Sequence, residues 1–586
     1  MKTTQNTFKT FDNQELFYQT WEHDVASNGK ILILLHRGHE HSARLESIAS
    51  KKEFEGYKIY SYDNRGHGET KVEATYEFMD LVRDLDAFVG FVCEKEGKKK
   101  EDVFVVANSV AGVVASTWVH DFAPNISGMA LVAPAFKIKL YFPFAKEFLK
   151  LAIMMKPKLN IKSYVKSKFL THNVEEQKKY DEDALITPNI PARQLTTLLD
   201  TAQRVVTDAS LISLPTLVLS ATKDYVVDSA VQGDFYANLT SSKKRFVQLE
   251  GFFHGVLYEE EHQKAIDEIA LFMEECFVSE LEASAPNEAR LKPSVPKLSI
   301  EKHSDFTQKE KDKIAYGSLS LAKEVFYGMQ RIFIKKLGFL SKGMSIGNKY
   351  GFDSGVTLDH VYANKPEGKF GIGKFIDKNY INSIGWRGIR QRKRNMISSV
   401  QAKIDVLTKE GKEVVILDIA GGPARYLVEI AKANPLVKVH VRDYQEQNVE
   451  EGRALAREMG VENISYEVCD AFDLASYDEV GFTPNIVIVS GVFELFSDNE
   501  LIGNAMRGIS KLIEKEGYLL YTGQPWHPQL ELIANVLGNH QQEKWTMRRR
   551  SQYELDTLFT NHGFEKQRML IDNWGIFTVS SAQYKG

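Results

Sequence analysis

Short apolar runs alternate with helical patterns in two separate stretches of the chain, and this alternation limits the possible folds more than any other feature. In the first stretch the runs lie at 30–35, 57–62, 103–107, 128–132 and 216–220. Runs that are apolar at nearly every position are typical of buried parallel strands joined by crossover helices. The pattern therefore predicts the α/β class, with one mainly parallel sheet in each stretch.

A segment of different composition separates the two stretches. Residues 279–305 are rich in Ala, Ser, Pro and charged side chains and have no apolar period, so we interpret them as an interdomain linker. The predicted domains are a first α/β domain at 1–278, a helical and basic segment at 306–410, and a second α/β domain at 411–586. The helical segment has one apolar face, formed by Leu321, Val325, Phe326, Met329, Ile332, Phe333 and Leu337.

Composition excludes several classes of protein. The 586 residues carry a formal net charge of −4, which argues against a nucleic-acid partner. Cys93, Cys276 and Cys469 are too few and too far apart for a disulfide framework or a Cys-rich zinc module, and we predict no metal site. Residues 1–17 are polar and lack the apolar core of a signal peptide, and no run reaches ~18 apolar residues, so we expect no transmembrane helix. We therefore expect a cytoplasmic protein whose membrane contact, if it has one, is peripheral and at the inner face.

A serine in a tight turn follows the run at 103–107. Ser109 lies between this predicted strand and a helical pattern, which is the geometry of a nucleophile elbow, and the nearby Ala107 and Ala111 are small, as that turn requires. Asp224 and His254 each follow a later predicted strand, at 216–220 and 245–249. A serine hydroxyl needs a base to become nucleophilic, and the base needs an acid to orient it. The three residues therefore predict a catalytic triad.

The same edge of the sheet should supply an oxyanion hole. One N–H donor is predicted at Val110, directly after the serine, at the start of a helix. The other should come from the loop at 36–42, which follows the first predicted strand. Three histidines in this loop could indicate a metal site, but we favour structural hydrogen bonds for them.

These residues resemble the monoacylglycerol-lipase-like, or serine-aminopeptidase-like (S33), branch of the α/β-hydrolases, over about residues 5–277. The branch has a His-Gly-x-x-x-His-Ser oxyanion loop, matched at 36–42 with Arg37 in place of glycine, an Asp-x-Arg-Gly-His-Gly segment, matched at 63–68, and a late Gly-x-x-His, matched at 251–254. The resemblance implies that Gly38 is the second oxyanion donor and that a lid occupies about 136–214. The lid has aromatic, Met and Lys residues on an amphipathic helix, which favours an acyl-chain entrance in contact with lipid headgroups. Packing of this helix on its own domain is the alternative.

The second α/β domain has small or acidic residues after four predicted strands, at 413–418, 438–442, 464–468 and 486–489. Ligands bind at this edge of an open α/β sheet, where a turn of small residues lets them approach the backbone closely. A carboxylate after the second strand can accept both hydroxyls of a ribose, which predicts a nucleoside cofactor. A nicotinamide cofactor would require G-x-G-x-x-G, which is absent. The candidate cofactor-binding residues are Asp418, Ala420, Gly421, Gly422, Asp443, Tyr444, Asp470, Ala471, Ser490 and Gly491.

The second domain resembles a class I S-adenosylmethionine-dependent methyltransferase, with a terminal hairpin at 565–571 and 576–581. More narrowly, residues 310–586 resemble a bacterial methyltransferase family found fused behind such a hydrolase, through GFDSG at 351–355, GWRGIRQR at 385–392, QPWHP at 524–528 and MRRR at 547–550. The resemblance implies a Rossmann-like domain that uses S-adenosyl-L-methionine. The basic run that begins at Arg387 could hold a phosphate or form a solvated helix face. The candidates for binding the methyl acceptor are Arg387, Arg390, Arg392, Tyr521, His527 and Arg549.

The sequence thus predicts a bifunctional enzyme. Its first half would be a serine hydrolase or acyltransferase acting on an acyl ester such as a monoacylglycerol or lysophospholipid, and its second half would methylate a lipid-related acceptor. In a second interpretation the hydrolase domain is catalytically weak and serves as a lipid-binding platform for the methyltransferase, which would agree with Ala107 and Ala111. A third interpretation, an RNA methyltransferase, depends on the basic run. The sequence indicates no oligomeric state.

Overall fold

The computed structural model describes residues 1–72, 75–284, 295–478, 480–539, 541 and 543–586. The chain divides into two compact units, Met1–Lys302 (unit 1) and His303–Gly586 (unit 2). Each unit contains its own large sheet, and the α/β class predicted for both is confirmed.

An eight-stranded sheet forms the centre of unit 1, in the order β1-β2-β4-β3-β5-β6-β9-β10. β1 and β2 are antiparallel to their neighbours, and the strands from β4 to β10 run parallel. A separate antiparallel pair, β7 and β8, lies in the predicted lid. The strands are β1 Lys2–Lys9, β2 Glu15–Glu22, β3 Ile31–Leu35, β4 Lys58–Tyr62, β5 Val103–Asn108, β6 Gly128–Val132, β7 Asn160–Lys162, β8 Asn189–Pro191, β9 Thr216–Ala221 and β10 Lys244–Leu249.

Helices connect the parallel strands of unit 1, as the right-handed crossover of such strands requires. The last helix packs on the sheet, because Ile266 and Met273 share one buried apolar cluster with Leu34 and Phe104. The helices are α1 Glu46–Ala49, α2 Phe78–Glu96, α3 Val110–Phe122, α4 Ala145–Met155, α5 Val174–Glu182, α6 Ala192–Thr207, α7 Ala230–Asn238 and α8 Gln263–Ser284.

Unit 2 contains a seven-stranded sheet in the order β13-β12-β11-β14-β15-β17-β16. The first five strands in this order are parallel, and β17 runs antiparallel to both β15 and β16. This is the Rossmann-like sheet with an antiparallel terminal hairpin that the resemblance implied. The strands are β11 Val415–Asp418, β12 Lys438–Asp443, β13 Ile464–Val468, β14 Ile486–Val489, β15 Tyr518–Gly523, β16 Phe564–Ile571 and β17 Thr578–Tyr584.

A set of helices precedes the sheet of unit 2, and others connect its strands. The apolar face predicted at 321–337 exists, but it is largely exposed: Leu321 and Ile332 keep 78% and 64% of their surface accessible, whereas Tyr327 and Ile334 are buried. The helices are α9 Val295–Tyr316, α10 Leu321–Leu337, α11 Lys342–Tyr350, α12 Gly355–Ala363, α13 Ile372–Ile381, α14 Ile384–Lys409, α15 Arg425–Ala433, α16 Glu446–Met459, α17 Asn499–Leu512, α18 Leu530–Val536 and α19 Gln552–Thr560.

The predicted linker at 279–305 is described only in part. Residues 285–294 lie outside the described residues. Residues 279–284 are the end of α8, and residues 295–305 belong to α9. No helix in the described ranges of the chain combines the length and the apolar character that crossing a bilayer requires.

Candidate active sites

Ser109 occupies a strained turn between β5 and α3. Its φ of 56° and ψ of −113° lie outside the regions that L-residues ordinarily adopt, and such a conformation costs roughly 1–3 kcal/mol unless its surroundings enforce it. Here the N–H of Ser109 donates to the carbonyl of Val132 and its carbonyl accepts from Ala135, both at 2.9–3.0 Å. The backbone is thus held from β6 in the conformation that a nucleophile elbow needs.

The structure brings the three predicted triad residues together in one hydrogen-bonded chain. The Ser109 Oγ lies 2.7 Å from Nε2 of His254, and Nδ1 of the same ring lies 2.7 Å from Oδ2 of Asp224. All three side chains are buried. Because Nδ1 faces a carboxylate, it carries the proton, and Nε2 is then the atom that accepts from the serine hydroxyl.

Asp224 is held in its ionised form by its neighbours. Burial alone would raise the pKa of Asp224, but the imidazole of His254 and the N–H groups of Val226 and Val227 outweigh this and hold the pKa below its usual range. Those two N–H groups donate to Oδ1 at 2.7 and 2.9 Å, which leaves Oδ2 for the imidazole. The carboxylate is therefore fixed in both charge and orientation.

The two predicted oxyanion donors lie side by side. A Cβ built on Gly38 would come within 3.1 Å of Cγ2 of Val110, so the loop after β3 and the first turn of α3 are in close contact. Val110 is the first residue of α3, and its N–H is one of the groups that have no intrahelical acceptor. Both residues line the same cavity as Ser109.

The histidines of the oxyanion loop make hydrogen bonds. His36 donates from Nδ1 to the carbonyl of Arg37 at 2.7 Å and accepts at Nε2 from the N–H of Asn64. His39 bonds to the carbonyl of Thr187, and His41 to a carboxylate oxygen of Asp183. The last two contacts connect the loop to the predicted lid. Among the described residues, no group of three His, Cys, Asp or Glu side chains is arranged to hold a metal ion.

Arg37 stands where the similar hydrolases have glycine, and it is buried. Its Nε and Nη2 donate to the carboxylate of Glu40 at 3.1 and 2.5 Å, and its guanidinium lies over the ring of Tyr258. Burial raises the pKa of Glu40, but the charges of Arg37 and Arg44 outweigh it and lower that pKa to about 2. The Nη1 of Arg37 is buried, and no described residue accepts from it. Arg37 is also one of the residues that line the cavity beside Ser109.

A cavity of about 900 Å³ lies between the triad and the predicted lid. Its walls include Ser109 and His254 on one side, and Phe148, Leu149 and Leu195 on the other. A cavity of this volume is in the range of small-molecule sites. Residues 141–155, which include helix α4, have no buried side chain, and their exposed large apolar side chains are Tyr141, Phe142, Phe144, Phe148, Leu151, Met154 and Met155.

In unit 2, the loop between β11 and α15 packs closely on the sheet. A Cβ on Gly421 would lie 2.8 Å from Val441, so this position requires glycine, whereas Gly422 has a φ of 58° and open space beside it. Asp418 lies beneath the loop and is fully buried, with Oδ2 accepting from the hydroxyl of Tyr426. Burial raises the pKa of Asp418 to about 7, although the Ala420 N–H and Tyr426 oppose it. Asp418 thus supports the loop from below.

The other predicted cofactor residues follow β12, β13 and β14 at one edge of the sheet. Asp443 accepts from the N–H groups of Gly422 and Gln445 and from the side chain of Asn448, at 2.9–3.0 Å. A carboxylate has about four acceptor positions, so one of them remains. Tyr444 and Asp470 are exposed beside it, Ala471 is buried, and Ser490 and Gly491 are half-buried.

A second cavity, of about 520 Å³, lies in unit 2. Of the predicted acceptor-binding residues, Arg392 and His527 line it, and burial lowers the pKa of His527 to about 4. The other four are not among its lining residues. Tyr521 donates to Asp556, Arg390 to the carbonyl of Ile381 and Arg549 to the carbonyl of Pro525, while Arg387 lies over the ring of Trp574.

Two matches to protein families agree with this division into units. Residues 286–584, more than half of the chain, match the family model described as "Putative methyltransferase". The chain belongs to this methyltransferase family. Residues 26–261 match the model described as "Serine aminopeptidase, S33". The predicted fusion of a hydrolase with a methyltransferase is therefore confirmed.

Relatives of this methyltransferase family member are of two kinds. One has both domains: the chain is 38% identical over 584 residues to the uncharacterised protein YnbC of Escherichia coli strain K12, which covers 98% of this chain and 97% of that protein. Others match part of the chain, such as phospholipase YtpA of Bacillus subtilis strain 168, 23% identical over 251 residues, or 42% of this chain and 94% of that protein. Among solved structures, a monoacylglycerol lipase from Paleococcus ferrophilus is 20% identical with a TM-score of 0.40, covering 44% of this chain and 99% of that one.

Sequence reasoning missed two buried polar residues in the methyltransferase unit. Glu494 and Gln524 line the second cavity and are 9% and 4% exposed. Their position in the sequence could have indicated them as site residues, since Glu494 lies five residues after β14 and Gln524 directly follows β15. Side chains just past parallel strands lie at the edge of the sheet where ligands bind.

Proposed function

We propose that the protein is a bifunctional enzyme in which unit 1 cleaves or transfers an acyl ester and unit 2 methylates an acceptor from S-adenosylmethionine. The observation that carries the first activity is the chain of two 2.7 Å hydrogen bonds from Ser109 through His254 to Asp224, beside a cavity. A buried serine, histidine and aspartate hydrogen-bonded in this order are the arrangement of a catalytic triad for acyl transfer.

Each group has one task in this reaction. His254 Nε2 takes the proton of Ser109 as Oγ bonds to the ester carbonyl carbon, and the N–H groups of Gly38 and Val110 stabilise the negative oxygen. The C–O bond of the ester then breaks, and His254 returns the proton to the leaving alcohol. Water, or a second alcohol, releases the acyl group from the serine in the same way.

Arg37 favours a substrate with an anionic group near the ester, which selects the lysophospholipid over the monoacylglycerol. Arg37 lines the cavity, and its buried Nη1 has no acceptor among the described residues. A phosphate there would accept a charge-assisted hydrogen bond, which is stronger than a neutral one.

The test of unit 1 is an ester-hydrolysis assay with 1-acyl lysophosphatidic acid and 1-monoacylglycerol of the same chain length. Ser109→Ala should lower the rate on both by at least about a thousandfold, since the nucleophile is lost, and Ser50→Ala, an exposed serine outside the site, serves as the matched control. Arg37→Gly should reduce the preference for the phosphate-bearing ester by about tenfold. Unchanged rates in Ser109→Ala would refute the nucleophile. If the wild-type chain fails to react with a fluorophosphonate probe, unit 1 is the passive lipid-binding platform.

Three features of unit 2 support a nucleoside cofactor. The space beside Gly422 allows close approach to the backbone, Asp443 has an acceptor position for a ribose hydroxyl, and the exposed Asp470 can accept from an adenine amino group. S-Adenosylmethionine, when bound, supplies a methyl group on a positively charged sulfur, and transfer depends mainly on positioning the acceptor in line with it. Gly491, after β14, belongs both to this edge and to the second cavity, so the cavity is the place proposed for the acceptor.

The lid supports a further part of the proposal, contact with a membrane surface. Exposed aromatic and Met side chains at 141–155 lie close in sequence to exposed lysines Lys156, Lys158, Lys162 and Lys166. Apolar side chains flanked by lysines fit the interface of an anionic bilayer.

A further inference from the structure

The second cavity of unit 2 combines apolar walls with a few polar atoms that have no partner. The walls are mostly apolar side chains from α10 to α14, such as Ile334, Met344, Leu358, Trp386 and Ile389. Phe333 and Phe375 also line it and are 37% and 66% exposed, so the cavity has an aromatic opening. Such walls suit a hydrocarbon chain, because burying apolar surface away from water lowers the free energy of binding.

Two buried polar side chains, Glu494 and Gln524, line this cavity at the edge of the sheet. Glu494 Oε1 accepts from the hydroxyl of Thr522 at 2.9 Å, and that hydroxyl accepts from the N–H of Gly491 at 2.8 Å. The other oxygen, Oε2, is buried and has no donor among the described residues. The Nε2 of Gln524 is likewise buried with no acceptor in the described part of the chain. An unsatisfied buried polar group costs about 1–3 kcal/mol, so a ligand that pairs both atoms is favoured.

The two atoms define what the polar end of a ligand must be. Glu494 Oε2 needs a donor, and the Gln524 amide needs an acceptor. Arg392 also lines the cavity, and its Nη1 lies 3.8 Å from Oε1 of Glu494, so these two charges are already paired. A carboxylate or phosphate has no proton to give to Oε2, while an ammonium group has no lone pair for Gln524. A hydroxyl both donates and accepts, so it matches the pair.

We propose that this cavity binds an amphiphile with one hydrocarbon chain and a terminal hydroxyl, with the chain among α10–α14 and the hydroxyl between Glu494 and Gln524. The inference rests on the methyl-transfer function proposed above and names the class of its acceptor. Binding requires neither S-adenosylmethionine nor the ester-cleaving site.

Two of the six tryptophans, Trp386 and Trp545, line this cavity, and none lines the cavity of unit 1. A chain that carries bromine quenches tryptophan fluorescence only on contact, so 9,10-dibromostearyl alcohol reports on this site in the full-length protein. We expect saturable quenching in the wild type. The quenching should be lost in the Trp386→Phe/Trp545→Phe variant and kept in Trp574→Phe, the matched control whose ring is outside the cavity.

Selectivity tests the polar end. Wild-type protein should bind the brominated alcohol at least about tenfold more tightly than the brominated acid or amine, the worth of a hydrogen bond to a charged group. Glu494→Gln should remove the preference over the acid, and Gln524→Leu, a second variant, should weaken binding of the alcohol. No quenching of Trp386 and Trp545, or tighter binding of the acid or amine by the wild type, would overturn the inference. Calorimetry with S-adenosylmethionine is separate: alcohol binding without cofactor binding would support this site and refute the methyltransferase proposal.

Discussion

At the scale of single residues, the most informative side chains are those whose burial cannot be predicted from the residue type. Arg37 and Glu40 are ordinary surface residues by composition, yet they form a buried ion pair beside Ser109. Ser109, Asp224 and His254 were predictable because each follows a strand, and strand ends meet at one edge. Glu494 was not predictable, because its burial depends on helices α10–α14, which are distant from it in sequence.

The ion pair predicts a pH-dependent contribution to stability. The folded-state pKa of Glu40 lies near 2, below its ordinary value of 4.5. The stabilisation is therefore complete above about pH 5 and is lost as the pH falls towards 2. At pH 6 it is worth about 3 kcal/mol for a shift of this size.

The measurement is the free energy of unfolding of unit 1, from denaturant titrations of wild type and Glu40→Gln. We expect the difference between the two proteins to be largest at pH 6 and to shrink steadily below pH 4.5. A difference that stays constant down to pH 3 would contradict the assigned role of the charge.

At the scale of elements, the apolar runs predicted every parallel strand except β15 to within two residues, since a buried strand is apolar along its length. The antiparallel β1 was not predicted, because seven of its eight residues are exposed and its sequence is polar. The apolar face of α10 was predicted, but its exposure was not. Periodicity identified the face, but it could not tell that the face is largely exposed.

We expect the lid to bind a membrane surface through its exposed apolar side chains. Met154→Ser/Met155→Ser removes two side chains that are 80% and 77% exposed. Their loss should weaken binding to vesicles of phosphatidylcholine and phosphatidylglycerol by about tenfold, because less apolar surface enters the bilayer.

Co-flotation with those vesicles measures the effect. Val25→Ser, a change at an exposed valine outside the lid, is the control and should bind as the wild type does. Equal binding of the lid variant and the wild type would place the membrane contact elsewhere or exclude it.

At the scale of the whole molecule, each of two compact units carries its own sheet, cavity and proposed ligand. The sequence predicted both domains, because each repeats the strand–helix alternation independently. It did not reveal how α10–α14 enclose a cavity, since that requires the packing of five helices.

Separate sites predict separate binding. Isothermal titration of the full-length protein with S-adenosylmethionine should show one site, which Asp443→Ala weakens by about tenfold or more through loss of a ribose contact. Glu458→Ala, an exposed carboxylate on α16, is the matched control. Ser109→Ala should bind the cofactor as the wild type does. Full affinity in Asp443→Ala would reject the proposed ribose contact.

The crowding in the elbow has a consequence for finding similar enzymes. A Cβ at Gly112 would lie 2.7 Å from Cβ of Pro134 and collide with it, whereas Ala107 and Ala111 carry a methyl group and are buried. The position that tolerates no substituent is thus three residues after the nucleophile, on the first turn of α3. Search patterns that demand glycine on both sides of the serine will discard chains of this kind, and a pattern anchored on the third residue after the serine will retain them.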